Sequence, residues 1–126
     1  MNSLIAQIIA VLISIETGGH PNPDTAIGDN GAAIGVLQIH KIYVDEANRI
    51  ERRLNPDNPR TWSYEDRTNR LASIEMVEIT LTWHYLRGVT DPVALALRHN
   101  RPNGNDNPAY RRKLEEKLCK HLTHPL

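Results

Sequence analysis

Near the start of the chain, Ile5, Ile8, Ile9, Leu12 and Ile13 recur at intervals that gather side chains on one face of a helix. Asn2 or Ser3 can cap its start, and Gly18-Gly19 ends it, with Pro21 and Pro23 beyond. From His20 to Ala33, Pro, Asn, Asp, Gly and Thr crowd together, which predicts a long loop with at most a small hairpin around Asp29-Asn30-Gly31. Loops of this length in small domains are usually functional. A short apolar run, Gly35-Val36-Leu37-Gln38-Ile39, follows. Ile42, Tyr43, Ala47, Ile50 and Leu54 then mark a second helix ending at Asn55-Pro56.

After a polar loop from Asp57 to Ser63, the segment from about Tyr64 to Arg87 is apolar on two faces. Ile74, Val77, Leu81 and Tyr85 lie on one, and Ala72, Met76, Ile79 and Trp83 on the other. A helix apolar on both sides is a buried central helix. Thr90-Asp91-Pro92 starts a fourth helix, to about His99, and Asn107-Pro108 starts a fifth, Ala109 to about Leu122. The expected fold is mainly α. About five helices surround a buried central one in a single domain over residues 1–126, with at most a small β-hairpin in the 20–38 loop.

Composition narrows the picture. The 126 residues suit one core, and 40% hydrophobic with 24% charged residues is globular rather than disordered. Fifteen bases balance fifteen acids, so no overall field favours nucleic acid or an acidic membrane surface. The zero is uneven: residues 1–48 hold one base against five acids, and residues 98–126 hold seven bases against three acids. The basic end can be a solvated helix face or can meet an anionic polymer. Cys119 is the single cysteine and forms no internal disulfide. With His121 and His124 it lacks a fourth metal ligand, so neither a metal nor another cofactor is expected. Leu4 to Ile15 is too short to span a bilayer and lacks the preceding charge and cleavage pattern of an export signal. The expectation is a monomer made in the cytoplasm without membrane insertion.

Glu16 supplies the candidate chemistry. It follows Leu12 by four residues and Ile9 by seven, which projects its carboxyl from the core-facing stripe in the last turn of a helix. Burial and the negative end of the helix both oppose its charge and push its pKa up. A carboxyl that keeps its proton near neutral pH is what a general acid needs. A flexible Glu reaching water from the helix end is the plain alternative.

Three pieces in order, Ile15-Glu16-Thr17-Gly18-Gly19, Ala26-Ile27-Gly28-Asp29-Asn30-Gly31 and Gly35-Val36-Leu37-Gln38-Ile39, resemble the lysozyme-like superfamily, including soluble lytic transglycosylases. The Gly-Asp-x-Gly stretch leading to Gly-x-x-Gln-Ile and Tyr43-x-Asp45 is closer to invertebrate-type lysozymes, without their cysteines. Ala94 to Gly104 resembles the Ala-Tyr-Asn-x-Gly segment of the transglycosylases.

The resemblance implies cleavage of peptidoglycan strands at the β-1,4 bond between N-acetylmuramic acid and N-acetylglucosamine, with Glu16 as general acid. Gln38 would bond the sugar or its N-acetyl group, and Asn100 would line the same cleft. Thr17 replaces the usual Ser and keeps a hydroxyl. His99 stands where the transglycosylases have a Tyr touching the catalytic Glu; an exposed His at a helix end is its alternative. Asp29 aligns with the second catalytic Asp of the invertebrate-type enzymes, or serves only as a turn former. Without a second carboxyl, the substrate's acetamido group would assist, as in a lytic transglycosylase. Trp62, in a polar loop, is the aromatic expected at the cleft edge, and Trp83 is expected in the core. A chitin-cleaving relative and a non-catalytic glycan- or partner-binding module are the other functions weighed. The expected place of action is the bacterial cell wall, after release or delivery.

Overall fold

The computed structural model describes residues 2–100 and 107–123. Asn2 opens α1 (Ser3–Thr17) by accepting from the backbone N–H of Leu4 at 2.8 Å and of Ile5 at 3.4 Å. The side-chain cap satisfies donors that the first helical turn leaves without partners, an effect of about 1 kcal/mol. A polar loop follows, holding two antiparallel strands, β1 (Ile27–Gly28) and β2 (Ala33–Ile34), which pair Ile27 with Ile34 and Gly28 with Ala33. This is the small hairpin expected around Asp29-Asn30-Gly31. A bridge from Ile34 to Ile39 folds the apolar run back on the hairpin and buries Val36, Leu37 and Ile39.

The helices α2 (Lys41–Leu54), α3 (Arg70–Leu86), α4 (Pro92–Asn100) and α5 (Pro108–Thr123) complete the domain. Asp91 caps α4 by accepting from Ala94 N–H, and Asn107 caps α5 by accepting from Ala109 and Tyr110. The mainly α architecture is therefore the expected one, and α3 is its centre, packing against α1, α2 and α4. Its residues Met76, Val77 and Leu81 join Ile8 and Leu12 of α1, Val44 of α2, Leu95 of α4 and Leu114 of α5 in one core. Burying each such side chain stabilises the fold by roughly 1.5–3 kcal/mol before the entropy of ordering the chain is set against it.

Three expectations need correction. The central helix does not begin at Tyr64: Tyr64–Thr68 forms a 3₁₀ turn, closed by reciprocal bonds between Ser63 and Asp66. Asn69 then turns extended, with φ −98° and ψ 119°, and caps α3 with its own side chain at 2.9 Å from Ala72 N. A short amide side chain that can bond nearby backbone competes with helix continuation, which explains the break. Trp62, expected at the cleft edge, is 5% exposed and belongs to the core. Asn48 of α2 holds it there, donating to the Trp62 carbonyl at 2.9 Å and accepting its N–H at 2.8 Å. Trp83, expected in the core, is half-buried, with the Arg87 guanidinium 4.4 Å from its ring centre. Among the described residues no helix is long and apolar enough to cross a membrane.

Candidate active site

A cleft of about 630 Å³ opens where the end of α1, the hairpin loop, the start of α2 and helices α4 and α5 converge. Glu16, Asp29, Gln38, His99 and Asn100 line it, together with His40, Tyr43, Glu46, His84 and Tyr110. Five residues singled out from sequence thus meet in one hollow, although they come from three separate segments. Ile42, 77% exposed, adds an apolar patch to the rim.

Glu16 is half-buried on the last turn of α1, and the Tyr110 hydroxyl of α5 donates to its Oε1 at 2.9 Å. Burial pushes its carboxyl above the usual range; the Tyr110 bond opposes this, nearby Asp29 adds to it, and His40 and Lys113 oppose it more weakly. The net direction is up, so the acid form persists to higher pH than in an ordinary carboxyl group.

Asp29 stands in a different setting. Its side chain is 70% exposed, and its Oδ2 lies 2.9 Å from Nε2 of His40. Asp29, Asn30 and Gly31 take φ of 49°, 56° and 97° in succession. Asp and Asn tolerate this left-handed region better than other residues with side chains. Gln38 tolerates it less well, yet has φ 52°. Its amide compensates, donating to the carbonyls of Ala26 at 3.2 Å and Gly35 at 3.0 Å. Among the described residues these three are the non-glycine positions of positive φ, and two of them line the cleft. Backbone strain of about 1–3 kcal/mol each persists only where surrounding structure enforces it, and it gathers at functional sites.

The enforcing group is Arg67, 8% exposed, which carries no local sequence signal of this role. It donates to the carbonyls of Ala32 at 3.3 Å, Ile39 at 3.2 Å and Tyr64 at 2.8 Å, pinning both ends of the segment that carries Gln38. Thr17 has a comparable task. It is buried away from the cleft, and its hydroxyl meets the Val36 carbonyl at 2.9 Å, tying the helix end to the loop.

His99 is buried rather than exposed, and it does not take the place beside Glu16. Its Nε2 lies 2.8 Å from the Leu37 carbonyl, so that nitrogen carries the hydrogen, and Nδ1 accepts from the Tyr43 hydroxyl at 3.3 Å. Burial drives its pKa down to about 4, against the pull of the Leu37 bond, with a small further push from His40. His99 is a neutral strut between α4, the loop and α2. The tyrosine that touches Glu16 is Tyr110, 94 residues along the chain, and no local pattern announces it. His40 carries no such pattern either, although it directly follows the Gln38-Ile39 pair. Arg101 to Gly104 and His124 lie outside the described residues. Cys119 is exposed, and among the described residues no three His, Cys, Asp or Glu side chains gather as a metal site requires.

Two carboxyl groups in unlike surroundings can divide labour: the pKa of the half-buried one is raised, which suits it to give a proton, and the exposed one is bonded to His40. No protein-family model matches this chain, and neither a curated protein nor a solved structure matches it.

Proposed function

We propose that the chain cleaves peptidoglycan glycan strands at the β-1,4 bond between N-acetylmuramic acid and N-acetylglucosamine. Glu16 protonates the glycosidic oxygen, and Asp29 is the second carboxyl group of the reaction. The observation that carries this is the state of Glu16: a half-buried carboxyl of raised pKa, bonded to Tyr110 and facing a cleft it shares with Asp29. Gln38 and Asn100 border the sugar, Ile42 offers it an apolar surface, and His99 and Thr17 fix the walls in place. The site of action is the cell wall, and the chemistry calls for no cofactor.

The test is digestion of purified peptidoglycan by the wild-type chain and by Glu16→Gln, with products followed by mass spectrometry. Gln keeps the size and can still accept from Tyr110, but it has no proton to transfer. Turnover by Glu16→Gln should fall by at least about 10²-fold, the low end of what a positioned acid contributes. Wild-type turnover by that variant would remove Glu16 from the mechanism.

A further inference from the structure

Resting on the glycosidase function just proposed, we infer that His40 takes the proton of the attacking water, with Asp29 as its carboxylate partner, and that the bond is hydrolysed in one displacement with inversion at the anomeric carbon. The tautomer of His40 supports this first. An ionised carboxylate only accepts, so the nitrogen facing Asp29 Oδ2 at 2.9 Å, Nε2, must carry the hydrogen. Nδ1 then keeps its lone pair, as in any histidine whose far nitrogen is held by an acid. Asp29 is the one side chain bonded to the His40 ring among the described residues, which leaves Nδ1 available to water. The ring side chain is 46% exposed and lines the cleft of Glu16, so water reaches it there.

The other cleft histidines fail the same requirements. Both ring nitrogens of His99 are spent on Leu37 and Tyr43, and the residue is buried. His84 has no carboxylate bonded to its ring among the described residues, and burial, then Arg98 and more weakly Arg87, push its pKa down against the pull of Glu46. The backbone also serves the His40 pair. The left-handed turn at Asp29 and the Ile34 to Ile39 bridge bring the hairpin turn into contact with the residue after Ile39, eleven positions on in sequence.

The balance closes with water alone. The water oxygen bonds to the anomeric carbon as the carbon–oxygen bond to the leaving sugar breaks. The water proton passes to Nδ1 of His40, making an imidazolium beside the Asp29 carboxylate, and the Glu16 proton passes to the leaving oxygen. After release, His40 gives its proton to solvent and Glu16 takes one back.

Purified peptidoglycan digested in ¹⁸O-water, with the anomer of the new end followed by early-time NMR, tests this on the wild-type chain and on His40→Gln, Asp29→Asn and Glu16→Gln. Wild type should give ¹⁸O-bearing reducing ends of inverted configuration. His40→Gln, with an unchanged melting temperature, should lose at least about 10²-fold in turnover. Added azide should restore it and yield a glycosyl azide of inverted configuration, which a merely structural role for His40 does not produce. Asp29→Asn should remain inverting and be slowed as well. Wild-type turnover by His40→Gln, a retained anomer or 1,6-anhydro ends each overturns the inference, while an inactive Glu16→Gln leaves the glycosidase function standing. A fully active Glu16→Gln removes both. The wild-type anomer needs no variant, and a retained one overturns the inference even if His40→Gln fails to fold.

Discussion

Glu16 stands on the last turn of a fifteen-residue helix and is bonded by a tyrosine from a second helix, whereas Asp29 stands in a hairpin turn of three successive left-handed residues. Both line one cleft. The helical wall is placed by regular hydrogen bonding and by the burial of Ile5, Ile8, Ile9 and Leu12 behind it. The loop wall has little regular structure and is held by Arg67, Thr17 and the Gln38 amide, each bonding backbone carbonyls. Each construction suits its carboxyl. A proton donor gains from a low-dielectric seat that helix packing provides. The second carboxyl group has exposure and a histidine partner, and a turn at the surface supplies both.

The comparison breaks most easily at the loop wall. Gly35 has φ 88°, and a side-chain carbon there would run into the Arg67 carbonyl oxygen. Gly35→Ala should destabilise the domain by about 4 kcal/mol, combining backbone strain with overpacking against an atom that cannot move aside. Denaturant unfolding measures it, and a loss below 1 kcal/mol would mean that the loop wall yields freely. Next comes His99, which joins the loop to α2 and α4. Its folded-state pKa of about 4 lies below the ordinary 6.5, so the unfolded chain binds the extra proton first. Stability from this group is complete above pH 6.5 and is lost as pH falls toward 4, by about 3 kcal/mol across that window. Thermal melts from pH 7 to 4 should show this decline in the wild type and a shallower one in His99→Gln, whose amide can keep both bonds. Equal slopes would relieve His99 of that role.

The same contrast governs what the sequence discloses. Glu16 is legible because helical spacing from Ile9 and Leu12 states which way a side chain points. The caps Asn2, Asp91 and Asn107 and the stop at Gly18 are legible for a similar reason, since each acts on backbone within a few residues. Asn69 belongs to that class as well, yet the apolar periodicity across Tyr64 to Arg87 masks its power to interrupt. Trp62 misleads because the polarity of its neighbours describes their solvent contact and not the orientation of the ring. Asn48, fourteen residues earlier, decides that. Arg67, buried and bonded to carbonyls 28 and 35 residues back, and Tyr110 depend wholly on tertiary placement. A charged or aromatic residue carries no local mark of such a role.

The finest test concerns how the two walls share control of Glu16. Its pKa is raised by burial, so the ionised form is disfavoured in the folded state, and stability present below the ordinary carboxylate value of 4.5 is lost as pH rises through the folded-state value. Tyr110 works against that rise, since its hydroxyl bonds the anion. Tyr110→Phe removes the bond and leaves the ring, so the pKa of Glu16 must climb further and the acid form must survive to higher pH. The basic limb of the peptidoglycan turnover profile should therefore move upward, with a loss at the optimum well short of the ~10²-fold expected for Glu16→Gln. Asp29→Asn should move the same limb downward, because a neighbouring negative charge that favours protonation is gone. Opposite displacements in the two variants would establish that helix and turn pull on one proton from opposite sides; displacement in a common direction would mean that solvent access, and not these neighbours, sets it.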